Sequence, residues 1–212
     1  MEILLISLIV GFISIDTIKV GQFMFSRPII VGSIVGWILG DFYTGLKIGV
    51  ILELFWIRVI PVGTYYPPDT VITTALAITL TLYFPGANIP ESFCIILSLM
   101  VSIPFGIIYK SFQIRERKMA SRYNTLLSDS INKGDFNFIN KLVFISVGRE
   151  FMFSFLAFII SFKLIFLFFS SVQKYLFYFI ENPFMVKGAK EAFELLPLIG
   201  ITQLIDSFIK KR

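Results

Sequence analysis

Apolar residues run along this chain in long blocks, separated by short clusters of glycine, proline and charge. A helix crossing about 30 Å of hydrocarbon needs about 20 residues at a rise of about 1.5 Å each. The blocks predict an all-α polytopic membrane protein with about five to seven transmembrane or re-entrant helices. The first block, residues 3–15, ends at Asp16. It has the length of a signal-peptide core. Glu2 stands where a basic n-region belongs, and no clear small-residue cleavage site follows, so it reads as retained. Pro28 suits the first turn of a helix running to about Leu39 and closed by Gly40-Asp41. At about 12 residues, or about 18 Å, that helix is too short to span. Short apolar helices beside charges predict broken helices around a protein-lined site near the midplane.

A second apolar segment covers about Thr44 to Ile60, and Pro61-Val62-Gly63-Thr64-Tyr65-Tyr66-Pro67-Pro68-Asp69 breaks it. Residues 85–90 read as a loop, and residues 92–109 as a helix whose end Pro104 is expected to kink. Between 110 and 135, Phe112, Met119, Tyr123, Leu126, Leu127 and Ile131 recur at helical spacing with charges between them, predicting an amphipathic helix that ends at Asn132-Lys133-Gly134-Asp135. Two further helices are expected over 142–161 and 163–180. Residues 188–209 are weakly amphipathic. Glu191, Glu194 and Asp206 suit protein contact better than lipid. Three regions follow: 1–109 with the candidate site, a basic loop 110–141, and a Phe-rich membrane region 142–212.

Composition strengthens this picture. Hydrophobic residues make up 56% and charged residues 16%, against about 25% charged in soluble domains, and mean hydropathy is +0.83. A soluble enzyme, a disulfide-stapled module and a disordered chain are excluded. The single cysteine, Cys94, excludes an intramolecular disulfide and a multi-cysteine metal site. With no histidine, Ser-His-Asp catalysis, His-ligated metals or haem, and a phosphohistidine on this chain are excluded. No cofactor is expected. The net charge of +5 does not point to nucleic acid. Seven of the nineteen Lys and Arg fall between Lys110 and Lys141, beside three acids, which reads as the inside loop of a multi-pass protein of the cell (inner) membrane. A phosphate-reading surface is the sharper alternative for this stretch.

Several residues carry candidate chemistry. Gly32, Gly36 and Gly40, followed by Gly45 and Gly49, recur every four residues, which serves close helix packing or a backbone surface lining a path. Glu53 lies among Ile51, Leu52, Leu54, Phe55 and Trp56. A carboxylate in such surroundings marks a pathway or binding site, or else pairs with Arg58, Lys47 or a neighbouring helix. Asp69 either caps the helix beginning at Thr70 or supplies a second acceptor beside Glu53. Fourteen of the twenty-five phenylalanines lie between Phe136 and Phe184, and read as lipid-facing or subunit-facing bulk.

The order Gln22…Ser26-Arg27-Pro28-Ile29, Val35-Gly36…Leu39-Gly40-Asp41, Thr44-Gly45-Leu46…Ile48-Gly49, Leu52-Glu53-Leu54, Pro61-Val62-Gly63 and Pro67-Pro68-Asp69 resembles the IIC subunit of mannose/sorbose-type sugar phosphotransferase systems (PTS). The joint pattern spans nearly the whole stretch from Gln22 to Asp69, while the remainder fits the family layout more weakly. The resemblance implies an elevator-like permease subunit that pairs with a IID membrane subunit and assembles as a homo-oligomer of the IIC–IID unit. A hexose-like sugar would be phosphorylated by a cytoplasmic IIB phosphocarrier loaded from IIA. It further implies that Glu53 and Asp69 accept hydrogen bonds from sugar hydroxyls, with Gln22 contributing an amide. Arg27 more plausibly neutralises a helix end or a carboxylate, and Tyr65 and Tyr66 are candidates to stack on a sugar face. Departures from the family are the tyrosine pair, Arg58, the Phe-rich second half and an expected shortened C-terminal portion.

The leading expectation is a membrane subunit that binds and translocates a sugar. The alternative is a degenerate homologue acting as a sugar sensor or assembly scaffold. A membrane enzyme using Glu53 and Asp69 as an acid–base pair ranks last, because no nucleophile, metal set or phosphate loop accompanies them.

Overall fold

A computed structural model describes residues 1–57, 68–84, 89–121, 124–133, 135–180 and 182–209. Among the described residues the chain forms eight helices and no strand: α1 (Glu2–Ile18), α2 (Pro28–Ile38), α3 (Phe42–Phe55), α4 (Thr70–Tyr83), α5 (Glu91–Ala120), α6 (Asn124–Lys133), α7 (Phe136–Ile180) and α8 (Pro183–Ile209). The all-α expectation holds; α1 to α4 have 11–17 residues, whereas α5, α7 and α8 have 30, 45 and 27. Stretches Glu91–Arg115 of α5 and Phe136–Ser171 of α7 are long and apolar enough to cross a membrane. By contrast α2 and α4, at 11 and 14 residues, are too short to do so at a rise of about 1.5 Å.

Three boundaries differ from the sequence reading. The helix expected over 92–109 continues to Ala120, so Pro104 lies inside α5 well before its end. Only Asn124–Lys133 forms a separate short helix there. The two helices expected over 142–161 and 163–180 are one, α7. The cause is the same in α5 and α7: charge alone ends no helix, and neither junction carries a glycine or proline.

The α2–α3 hairpin is built from a stop and a start signal in three residues. Gly40 adopts φ +83°, a left-handed setting that glycine takes without a Cβ penalty. Its N–H donates to the Trp37 carbonyl at 3.2 Å and the Asp41 N–H to the Gly36 carbonyl at 2.9 Å, the paired bonds of a Schellman stop. Asp41 then caps α3, accepting from the Thr44 N–H at 3.0 Å and the Thr44 hydroxyl at 2.7 Å. The glycine spacing is used for packing. A Cβ at Gly32 would stand 2.6 Å from the Gly45 carbonyl oxygen, and one at Gly36 2.8 Å from the Gly45 Cα. The Gly49 position closes on the Pro28 carbonyl at 2.7 Å. Two backbones therefore touch with no side chain between them.

The centre of the bundle is α4. Every residue from Val71 to Thr81 is buried, as expected of a helix that is apolar or small all round. Three of its threonines return hydroxyls to their own helix: Thr73 to the Asp69 carbonyl at 2.6 Å, Thr79 to Ala75 at 2.7 Å and Thr81 to Ala77 at 2.8 Å. Around α4 pack α2, α3, α5, α1 and α7, while α1 lies along α7 and α8 covers α5 and α3. Gly200 of α8 meets the Leu54 side chain, directly beside Glu53. The phenylalanines of α7 divide: Phe158, Phe162 and Phe169 are buried, whereas Phe144, Phe166 and Phe168 are exposed. The bulk expected to face outward thus also fills the core.

Candidate functional site

Three segments bear on the start of α2: the turn that leads into it, the end of α3 and the start of α4. The first is the turn after α1. Gly21, Gln22 and Met24 all have positive φ, at 76°, 52° and 68°. The Gln22 N–H donates to the Val20 carbonyl at 2.8 Å across Gly21, forming a γ-turn of the rarer positive-φ kind. Left-handed backbone at a non-glycine residue costs about 1–2 kcal/mol, and such strain concentrates at functional sites. Gln22 is exposed at the tip of this turn, followed by the exposed side chains of Phe23, Met24 and Phe25.

The second segment brings Arg27 and Glu53 together. Arg27 is the extended N-cap residue of α2, and Pro28 occupies the first turn. A cation at a helix N-terminus opposes the macrodipole. Glu53, from the last turn of α3, removes that conflict: its Oε1 accepts from the Arg27 guanidinium at 3.0 Å, and its Oε2 lies 3.5 Å from the Ile29 N–H. Among the described residues the partner of Glu53 is Arg27, at the start of the neighbouring helix α2, and Lys47 pairs with Glu91. The neutralising role expected of Arg27 is realised. The pair stays open, with side-chain exposures of 50% for Arg27 and 23% for Glu53. An ion pair this accessible contributes about 0–1 kcal/mol, so its carboxylate remains available to other donors.

Asp69 is placed differently. It is 4% exposed, its Oδ1 accepts from the Ile72 N–H at 2.8 Å, and its Oδ2 accepts from the Gln113 amide at 2.8 Å. The capping expectation for Asp69 is realised. Gln113, four residues beyond the buried Tyr109 on α5, is the partner the sequence reading missed. Its only signal there was a neutral polar residue one turn from that tyrosine. Next to Asp69, the Thr70 hydroxyl donates to the Ser26 carbonyl at 3.0 Å, tying the start of α4 to the residue before Arg27. Tyr65, Tyr66 and Arg58 lie outside the described residues.

At the turn between α2 and α3, the Thr44 N–H and then the Thr44 hydroxyl hold the Asp41 carboxyl below its ordinary range. Among the described residues no cluster of His, Cys, Asp and Glu is arranged to hold a metal ion. What the arrangement offers is an accessible carboxylate–guanidinium pair and an exposed amide. These groups bind hydroxyl-rich ligands by hydrogen bonds.

The chain as a whole resembles known proteins. A family model described as the PTS system sorbose-specific IIC component matches residues 1–212. The putative N-acetylgalactosamine permease IIC component 2 of Escherichia coli (strain K12) is 42% identical over 57 residues. That match covers 25% of this chain and 43% of the relative, so the chain aligns with less than half of it. A solved structure described as a membrane protein superposes with a TM-score of 0.72 at 19% identity, covering 97% of this chain and 77% of that one. A cryo-EM structure of the mannose transporter ManYZ in complex with microcin E492 (MceA) gives a TM-score of 0.63 at 21% identity, with the same coverages. The solved structures establish a shared membrane-protein fold, and the family match over residues 1–212 settles membership: this chain belongs to the family described as the PTS system sorbose-specific IIC component.

Proposed function

We propose that the chain is the translocating membrane subunit of a PTS-type sugar permease and binds a hexose-like sugar at the junction of α2, α3 and the turn after α1. The observation that carries this reading is the Arg27–Glu53 pair. It is half open, and it joins the ends of two packed short helices beside a strained turn. In this reading Glu53 accepts sugar hydroxyls, Arg27 donates to them, and Gln22 contributes its amide. Asp69, buried with both carboxylate oxygens bonded, sets the start of α4 behind them.

The family match supports a reading of the partners. A IID subunit completes the membrane unit, and the IIC–IID units form a homo-oligomer. A cytoplasmic IIB protein phosphorylates the sugar after loading from IIA. The absence of histidine from the chain is compatible with the phosphoryl group being carried on those subunits. The basic stretch Lys110–Lys141 faces the cytoplasm by its charge.

The test is sugar binding by the purified chain, with and without its IID partner, for wild type and Glu53→Gln. Binding that requires the partner and weakens about tenfold in the variant supports the permease reading, that being the scale of one charge-assisted hydrogen bond. Binding by the chain alone would favour a sensor. No binding to a broad hexose panel, with both proteins folded, would favour a scaffold.

A further inference from the structure

We propose that Asp16 is a positioning residue for this site, holding the Gly21–Met24 turn in the conformation that presents Gln22 and delivers Arg27 to Glu53. The inference rests on the sugar-binding reading for its functional consequence, but its structural part stands on geometry alone.

Asp16 lies in the last turn of α1 and is 8% exposed. Its Oδ1 accepts from the Phe23 N–H at 2.7 Å, seven residues on. Phe23 is flanked by the left-handed Gln22 and Met24, so this bond falls at the centre of the strain. Among the described residues Oδ2 has no hydrogen-bond partner. A buried carboxylate bonded through one oxygen is an expensive arrangement, and here that bond goes to the turn. Left-handed backbone at non-glycine residues persists only where its surroundings impose it, and Asp16 is the side chain that does so.

The end of α1 is itself anchored. Lys19, which follows α1, donates to the Ser146 carbonyl at 3.0 Å and hydroxyl at 2.9 Å, and lies 3.5 Å from the Glu150 carboxylate on α7. Across the turn, the Arg27 N–H donates to the Met24 carbonyl at 3.1 Å, which passes the setting of Met24 to Arg27. The connection therefore runs from α7 through Lys19 to α1, through Asp16 to the turn, and through Arg27 to Glu53.

The experiment uses the full chain with its IID partner in lipid nanodiscs, comparing wild type, Asp16→Ala, Asp16→Asn and Gly21→Ala. It reads two quantities, amide hydrogen exchange across residues 20–27 and sugar affinity. Asp16→Ala is expected to speed exchange in 20–27 and weaken binding, each about tenfold, while exchange in α4 is unchanged. Asp16→Asn keeps an acceptor oxygen and is expected to restore both to within about threefold. Unchanged exchange in Asp16→Ala overturns the proposal. So does an Asp16→Asn as impaired as Asp16→Ala, because a charge or ligand contact would then be what matters. If wild type binds no sugar, the sugar-binding reading fails while exchange still decides the role of Asp16. Gly21→Ala leaves Asp16 intact and opposes the φ of +76°. Should Asp16→Ala not fold, Gly21→Ala must show the faster exchange, and its absence overturns the proposal.

Discussion

The α2–α3 hairpin and α7 solve the same packing problem in opposite ways. In the hairpin, four glycines bring backbone against backbone, and the space for a Cβ is already filled by main-chain atoms. In α7 the contacts are rings. Phe158 and Phe162 stack with centroids 6.4 Å apart, and Phe169 meets Phe84 at 4.6 Å. Backbone contact has no rotamer with which to yield, whereas rings and their neighbours can repack. The hairpin carries Arg27 at one end and Glu53 at the other, so the inflexible packing sits where the candidate site needs fixed distances. The ring-packed helix supplies bulk.

The largest break in this comparison is Gly45→Ala. Its methyl would stand 2.6 Å from the Gly36 Cα, and only sliding the two helices apart would relieve it. A loss of about 3 kcal/mol is expected, the upper end of overpacking, seen as a lowered melting temperature in detergent. Next comes Asp69→Ala, which removes a cap and leaves the buried Gln113 amide without its acceptor. About 2 kcal/mol should be lost by the same assay, with Asp69→Asn closer to wild type. Phe158→Leu, at a fully buried ring, should cost about 1 kcal/mol because neighbouring rings can close in. The smallest effect has the opposite sign. Gly148 is a glycine of α7 with nothing within 4 Å of its Cβ position. Gly148→Ala is expected to raise stability by about 0.5 kcal/mol through helix propensity. Equal melting shifts for Gly45→Ala and Gly148→Ala would remove the distinction between the two regions.

Local signals were the legible part of the fold. Pro28, the Gly40-Asp41 stop and start, the four-residue glycine spacing and the Asp69 cap act through neighbours a few residues away, so the sequence displays them. Breaks were over-read where only charge changed, as at Lys110 and Lys163, because a charged residue on a helix can point away from lipid without ending it. Partners were the least legible. Glu53 was matched to Arg58, Lys47 or a neighbouring helix; the neighbouring helix supplies Arg27, 26 residues upstream across a hairpin. Gln113 reaches Asp69 over 44 residues and Lys19 reaches Ser146 over 127. Such pairs exist only once the helices are packed, and no periodicity in the chain encodes them.

The threonines of α4 have a mechanical consequence. Because Thr73, Thr79 and Thr81 return their hydroxyls to their own backbone, the middle of this helix offers neighbours few polar teeth to grip. Its rotational setting is keyed at the extremities instead. Asp69 holds Gln113 at one end, and Thr81 shares a 2.6 Å hydrogen bond with Ser98 at the other. The helix is built like an axle, smooth along its shaft and pinned at its bearings.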